Sequence, residues 1–118
     1  MQGGVEGVVS HVRSVQALCA AFDDTTSALF RHEVAYVLGQ MQQPCSTAPL
    51  CAVMLRLDEN SMVRHEAAEA LGSIGGEEAT AMLERFMADP AAVVAESCVV
   101  ALDATDYWAG VGCASKYQ

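Results

Sequence analysis

The sequence predicts an all-α protein, a solenoid of about three antiparallel helix pairs, on three observations. First, Arg31-His32-Glu33-Val34-Ala35-Tyr36-Val37-Leu38-Gly39 returns as Arg64-His65-Glu66-Ala67-Ala68-Glu69-Ala70-Leu71-Gly72, with six of nine positions identical at an offset of 33. Second, a weaker copy, Ala95-Glu96-Ser97-Cys98-Val99-Val100-Ala101-Leu102-Asp103, follows at a further offset of 31. A period in the low thirties with Ala and Leu at fixed places belongs to stacked helix pairs, each of which buries its apolar face against the next. Third, apolar residues recur at steps of three and four, and no alternating strand pattern competes with them.

Residues 1–13 are rich in Gly and Val without clear periodicity, and read as a poorly patterned segment ahead of repeats spanning 14–103. Ser14 to Phe22 supplies a first short helix. The second covers about 29–41, where Leu29, Val34, Val37, Leu38 and Met41 share a face. Ser27 stands as its N-cap, and Pro44 marks its end because the residue before a proline avoids helical backbone. The third starts at about Ala48, with Thr47 as cap, Pro49 in the first turn, and Leu50, Val53, Met54 and Leu57 as apolar face. Asn60 or Ser61 caps a fourth over about 62–74, and Gly75-Gly76 stops it. Glu77 and Glu78 open the fifth, which runs to about Ala88, because carboxylates suit the positive end of the helix dipole. Asp89-Pro90 breaks the chain before the last helix, Ala91 to Asp103, and residues 104–118 form a tail. Met41, Met54, Met62, Met82 and Met87 read as core filler.

Composition narrows the function classes. The 118 residues are 53% apolar with a net charge of −9, enough apolar surface for one domain and no basic surface for nucleic acid or an anionic membrane. Such a chain more naturally meets a cationic partner. The start, Met1-Gln2-Gly3-Gly4-Val5-Glu6, does not read as a signal peptide. The five cysteines, Cys19, Cys45, Cys51, Cys98 and Cys113, cannot all pair within the chain and lack C-x-x-C spacing, so they read as reduced thiols of a cytoplasmic protein and not as zinc ligands. Nucleophile-elbow, P-loop and dinucleotide-binding spacings are missing.

The two His-Glu pairs carry the chemistry. His32-Glu33 and His65-Glu66 hold the same place in consecutive repeats, so their side chains project from neighbouring helices about 10 Å apart. Two imidazoles and one carboxylate converging there make the facial triad of non-haem Fe(II). The same pattern also suits a solvated polar ridge, and both readings stand at this level. Arg31 and Arg64 pair with carboxylates of a neighbouring repeat, in preference as inter-repeat salt bridges, otherwise as support for a ligand. Tyr36 and Glu69, four residues after each His, could project near it, with core or ridge packing the preferred role. His11 lies outside the repeat and reads as an ordinary surface histidine.

The strings Ser27-Ala28-Leu29-Phe30-Arg31-His32-Glu33-Val34-Ala35-Tyr36-Val37-Leu38-Gly39-Gln40-Met41-Gln42 and Ser61-Met62-Val63-Arg64-His65-Glu66-Ala67-Ala68-Glu69-Ala70-Leu71-Gly72-Ser73-Ile74-Gly75 closely resemble the deoxyhypusine hydroxylase family, as does the closing stretch from Val93 to Asp103. The resemblance implies HEAT-like repeats and a di-iron monooxygenase that hydroxylates the deoxyhypusine side chain of translation initiation factor 5A. It implies that His32, His65 and Glu66 ligate one Fe(2+), one per chain and two in a complete site, and that Glu33 faces the substrate amine. The family carries four His-Glu motifs and this chain two, and because the closing repeat follows the second of them the resemblance is to the C-terminal half. A homodimer or pairing with a complementary half would complete the site. The rival expectation is a non-catalytic helical-repeat scaffold that binds a protein partner.

Overall fold

A computed structural model describes residues 5–23 and 25–104, with side chains from Val12 onward. Among these residues the chain forms six α-helices and no strand. They are α1 (Val5–Cys19), α2 (Ala28–Met41), α3 (Thr47–Leu55), α4 (Ser61–Ile74), α5 (Glu77–Arg85) and α6 (Ala92–Ala104), with 3-10 turns at Ala20–Phe22 and Pro44–Ser46.

The stops and starts follow local chemistry. Ser27 Oγ accepts the Phe30 N–H at 3.1 Å and opens α2. Asn60 Oδ1 accepts from Met62 N–H and Val63 N–H and opens α4. Gly75 and Gly76 end α4 at φ +77° and +92°, a region other residues avoid. At the end of α2 a non-glycine residue, Gln42, takes φ 51°, and its side-chain amide donates to the Ser73 carbonyl at the end of α4. Thr47 lies inside α3, whose start is set by the Pro44 turn and not by a side-chain cap.

The first helix departs most from the sequence reading. It starts at Val5, where periodicity placed a start at Ser14. Gly and Val are weak helix formers, but Val15, Leu18 and Cys19 pack on the core, and tertiary burial overrides propensity. The side chain of His11 and residues 105–118, including the tail aromatics and Cys113, lie outside the described residues.

Helices α2, α4 and α6 stack side by side as one layer, with α3 and α5 packed behind them. Leu38, Leu50, Met54, Leu71, Leu83 and Leu102 are completely buried between the layers. Two glycines set the spacing within the front layer. A Cβ on Gly72 would stand 2.6 Å from Ala101 Cβ, and one on Gly39 3.0 Å from Ala70 Cβ. Real side chains do not approach that closely, so glycine is what lets the three helices draw together.

Met62, read as core filler, is exposed, and so are Leu29, Val37 and Leu57 of the expected apolar faces, Leu29 at 73%. Leu57 lies beyond the end of α3. Leu29 and Met62 stand one turn before His32 and His65, on the face of the front layer away from α3 and α5, and no described helix stacks on that face. The other methionines do fill the core: Met54 is fully buried, and Met41, Met82 and Met87 pack at its margin.

Candidate metal centre

The repeat turns two adjacent residues in different directions, because one residue along a helix is about 100° of rotation. Arg31 and Arg64 turn inward. Arg31 Nε and Nη2 grip the Glu59 carboxylate at 2.7 and 2.8 Å, and its Nη1 donates to the Thr26 carbonyl. Arg64 Nη1 and Nη2 grip Asp89 at 3.1 and 2.8 Å, while Nε and Nη2 donate to the Met54 carbonyl. The Phe86 ring lies 5.1 Å from the Arg64 guanidinium. Glu59 and Asp89 each precede the next front-layer helix, so both arginines are inter-repeat ion pairs, the preferred of the two readings. Hydrogen bonding from each guanidinium holds its carboxyl below the usual range, against the opposing effect of burial.

His32 and His65 turn to the open face, and Glu66 lies between them. His32 Nε2 is 3.1 Å from Glu66 Oε2, and His65 Nε2 is 3.7 Å from the same oxygen. The Glu66 side chain is 11% exposed, against 26% and 22% for the two imidazoles. Glu66 is therefore faced by His32 from one repeat and by His65 from its own, and His32 stands outside the group of described ligand atoms that lie within 4.8 Å of one another. The close approach at Gly39 is what makes the reach from α2 to α4 this short.

Each His uses its other nitrogen outside the cluster. His32 Nδ1 is 3.3 Å from Glu33 Oε1, whose side chain is 61% exposed on the open face. His65 Nδ1 is hydrogen-bonded to the Ser97 hydroxyl of α6. Glu69 also approaches His65, with Oε1 3.5 Å from Nε2. Ligand atoms of His65, Glu66 and Glu69 all lie within 4.8 Å of one another, close enough to share one ion. Glu69 and Tyr36 thus both project near the site, and Tyr36 is half exposed and lines a shallow cleft with Glu66 and Glu69.

Sequence reasoning missed Ser97 as a neighbour of the site. The signal was there: an offset of 31 from Glu66 places Ser97 at the glutamate position of the third copy. The donor set suits a divalent metal. Two imidazole nitrogens and a carboxylate oxygen are ligands for Fe(II), Mn(II) or Zn(II) alike, and donors flanking one ion at about 2.1 Å stand about 3 Å apart.

Residues 12–103 match the family model described as HEAT repeats, which makes the chain a helical-repeat protein of that class. Within that class it belongs to the deoxyhypusine hydroxylase family, on its similarity to three relatives. It is 52% identical over 94 residues to deoxyhypusine hydroxylase-B of Oryza sativa subsp. japonica, covering 80% of this chain and 31% of that one. It is 57% identical over 82 residues to the deoxyhypusine hydroxylase of Danio rerio, covering 70% and 27%. The structure of human deoxyhypusine hydroxylase in complex with glycerol superposes with a TM-score of 0.75 at 48% identity, covering 79% of this chain and 32% of that chain. The chain spans about a third of the length of these relatives.

Proposed function

We propose that the chain carries one metal half-site of a deoxyhypusine hydroxylase, in which His32, His65 and Glu66 hold one Fe(II) and Glu33 receives the cationic amine of the deoxyhypusine side chain. The observation that carries this reading is the single Glu66 oxygen faced by Nε2 of two imidazoles from different repeats. A solvated ridge gives no reason for three such groups to meet on a part-buried carboxylate, since isolated exposed ion pairs contribute little.

Bound iron supplies the activation of O2 needed to hydroxylate a C–H bond. The protein residues do the rest. Glu66 lies between the imidazoles carried by α2 and α4 and turns one oxygen to both. Glu33, largely exposed beside His32, offers its carboxylate to an ammonium group. Leu29 and Met62 offer apolar surface one turn away, suited to the methylene stem of a long amine. The net charge of −9 favours approach of a cationic side chain. Translation initiation factor 5A is the protein substrate in this reading. A second half-site comes from another copy of the chain or from a complementary half. The cytoplasm is the proposed location, and free thiols at Cys19, Cys45, Cys51 and Cys98 accord with it. Burial raises Cys51 and Cys98 to about 11, with Glu78 and Asp89 adding to the shift, so these two stay protonated and unreactive at neutral pH.

Iron content on anaerobically loaded protein of known mass tests the proposal. The expectation is about one Fe(II) per chain, lost in His32→Ala and His65→Ala while helicity by circular dichroism holds. Glu33→Ala should keep the iron and lose affinity for a deoxyhypusine peptide. Unchanged iron content in both histidine variants overturns the ligand assignment and leaves the scaffold reading.

A further inference from the structure

The third copy of the repeat has lost its His-Glu pair, yet one of its residues reaches the site. Ser97 stands where Glu33 and Glu66 stand in the first two copies. It is buried on α6, and its hydroxyl has two partners, the imidazole Nδ1 of His65 and the carbonyl of Val93 one turn back in the same helix.

Proton counting decides the direction of both bonds. A serine hydroxyl has one hydrogen and two lone pairs. A carbonyl can only accept, so the hydrogen goes to Val93, the usual back-bond of a helical serine. The Ser97 oxygen then presents only lone pairs to His65. A bond between them requires the ring proton on Nδ1, which leaves the Nε2 lone pair free. That nitrogen lies 3.7 Å from Glu66 Oε2 and 3.5 Å from Glu69 Oε1. A neutral imidazole in water prefers the opposite arrangement, with the proton on Nε2. His32 has a weaker guide, since its Nδ1 meets the exposed carboxylate of Glu33.

We propose that Ser97 is a positioning residue: it holds His65 as the Nδ1–H tautomer and turns the Nε2 lone pair toward Glu66, ready for a divalent metal. The tautomer assignment stands on the hydrogen bonds alone, and only its consequence for metal rests on the reading of the site given above. The same bond ties the third repeat to the metal-binding pair, which gives that repeat a role although it has no ligand of its own.

Nitrogen-15 correlation spectra of the histidine rings in the full chain, without metal, read the tautomer of the neutral ring directly. The expected pattern is Nδ1–H for His65. Ser97→Ala should return His65 to a mostly Nε2–H pattern and leave His32 unchanged, and Ser97→Thr, which keeps a hydroxyl able to make both bonds, should preserve the original. Alanine is a good helix former, so the fold should survive the change. Fe(II) affinity should fall 10- to 100-fold in Ser97→Ala, the usual effect of removing a partner of a metal-binding His, and recover in Ser97→Thr. An Nε2–H pattern for His65 in the unmutated protein overturns the proposal without any variant. So does an Fe(II) affinity that Ser97→Ala leaves unchanged. An Nδ1–H pattern that shifts in Ser97→Ala, with no Fe(II) bound by either protein, upholds the assignment of Ser97 to His65 and sinks the metal reading instead.

Discussion

Arg31 and His32 are neighbours in sequence, as are Arg64 and His65, and each pair is repeated at the same offset. The structure gives them opposite fates. The arginines are buried among backbone carbonyls and carboxylates of the next repeat, and the histidines stand a quarter exposed over an open face. Repetition therefore does not separate structure from function in this chain. Burial does, and the helical rotation between adjacent residues assigns it.

The largest expected effect falls on the buried side. Arg64→Ala leaves Asp89 as a buried carboxylate without its cation, and should cost about 3–5 kcal/mol in urea unfolding. Arg31→Ala should cost less, since the Arg31 side chain is more exposed than that of Arg64, which also donates twice to the Met54 carbonyl of α3. Equal losses would break the comparison by showing that the outer-helix bonds contribute nothing. Next comes the helix spacing. Gly72→Ala must push α6 from α4 and should cost about 1–3 kcal/mol, with Gly39→Ala milder because its contact is looser.

Acid sharpens the same contrast. Glu59 and Asp89 have folded pKa values held below their ordinary ones by their arginines. Their contribution is present above the unfolded values of about 4 and is lost as pH falls through the lower folded values. Unfolding free energy should be level from pH 7 to about 5 and fall below about 4, and Arg64→Ala should flatten that fall. A fall of unchanged steepness in the variant would assign acid sensitivity to other carboxylates. The smallest effect falls on the open face. His32→Ala should change stability by no more than about 0.5 kcal/mol, as for surface positions generally, while abolishing metal binding. A loss as large as that of Arg64→Ala would make His32 part of the framework.

Much of this was legible in the sequence. The repeat at 33 and 31 residues fixed the helix count, and the caps at Ser27 and Asn60 fixed two starts. Identical His-Glu pairs in register pointed to one face, and both imidazoles do face Glu66 there, while the described ligand atoms close enough to share one ion belong to His65, Glu66 and Glu69. Glu59 and Asp89 were not legible as partners, because they lie 28 and 25 residues beyond their arginines, in loops of unequal length that carry no register. Leu29 and Met62 misled because helical periodicity shows which residues share a face, not whether another layer covers it. Ser97 was hidden by the decay of the third copy, where only position and not residue type survives.

Arg64 has one more consequence. Its guanidinium binds the Met54 carbonyl near the end of α3 and the Asp89 carboxylate just ahead of α6, from a backbone position in α4. Asp89 in turn accepts the Ala91 N–H that starts the last helix. Repeat arrays ordinarily behave as one-dimensional chains of weakly coupled units, whose ends open before their middle. A single cation shared by α3, α4 and the loop ahead of α6 suppresses that independence. Amide exchange should show the end of α3, all of α4 and the first turn of α6 opening together as one cooperative unit, with α1 exchanging ahead of them.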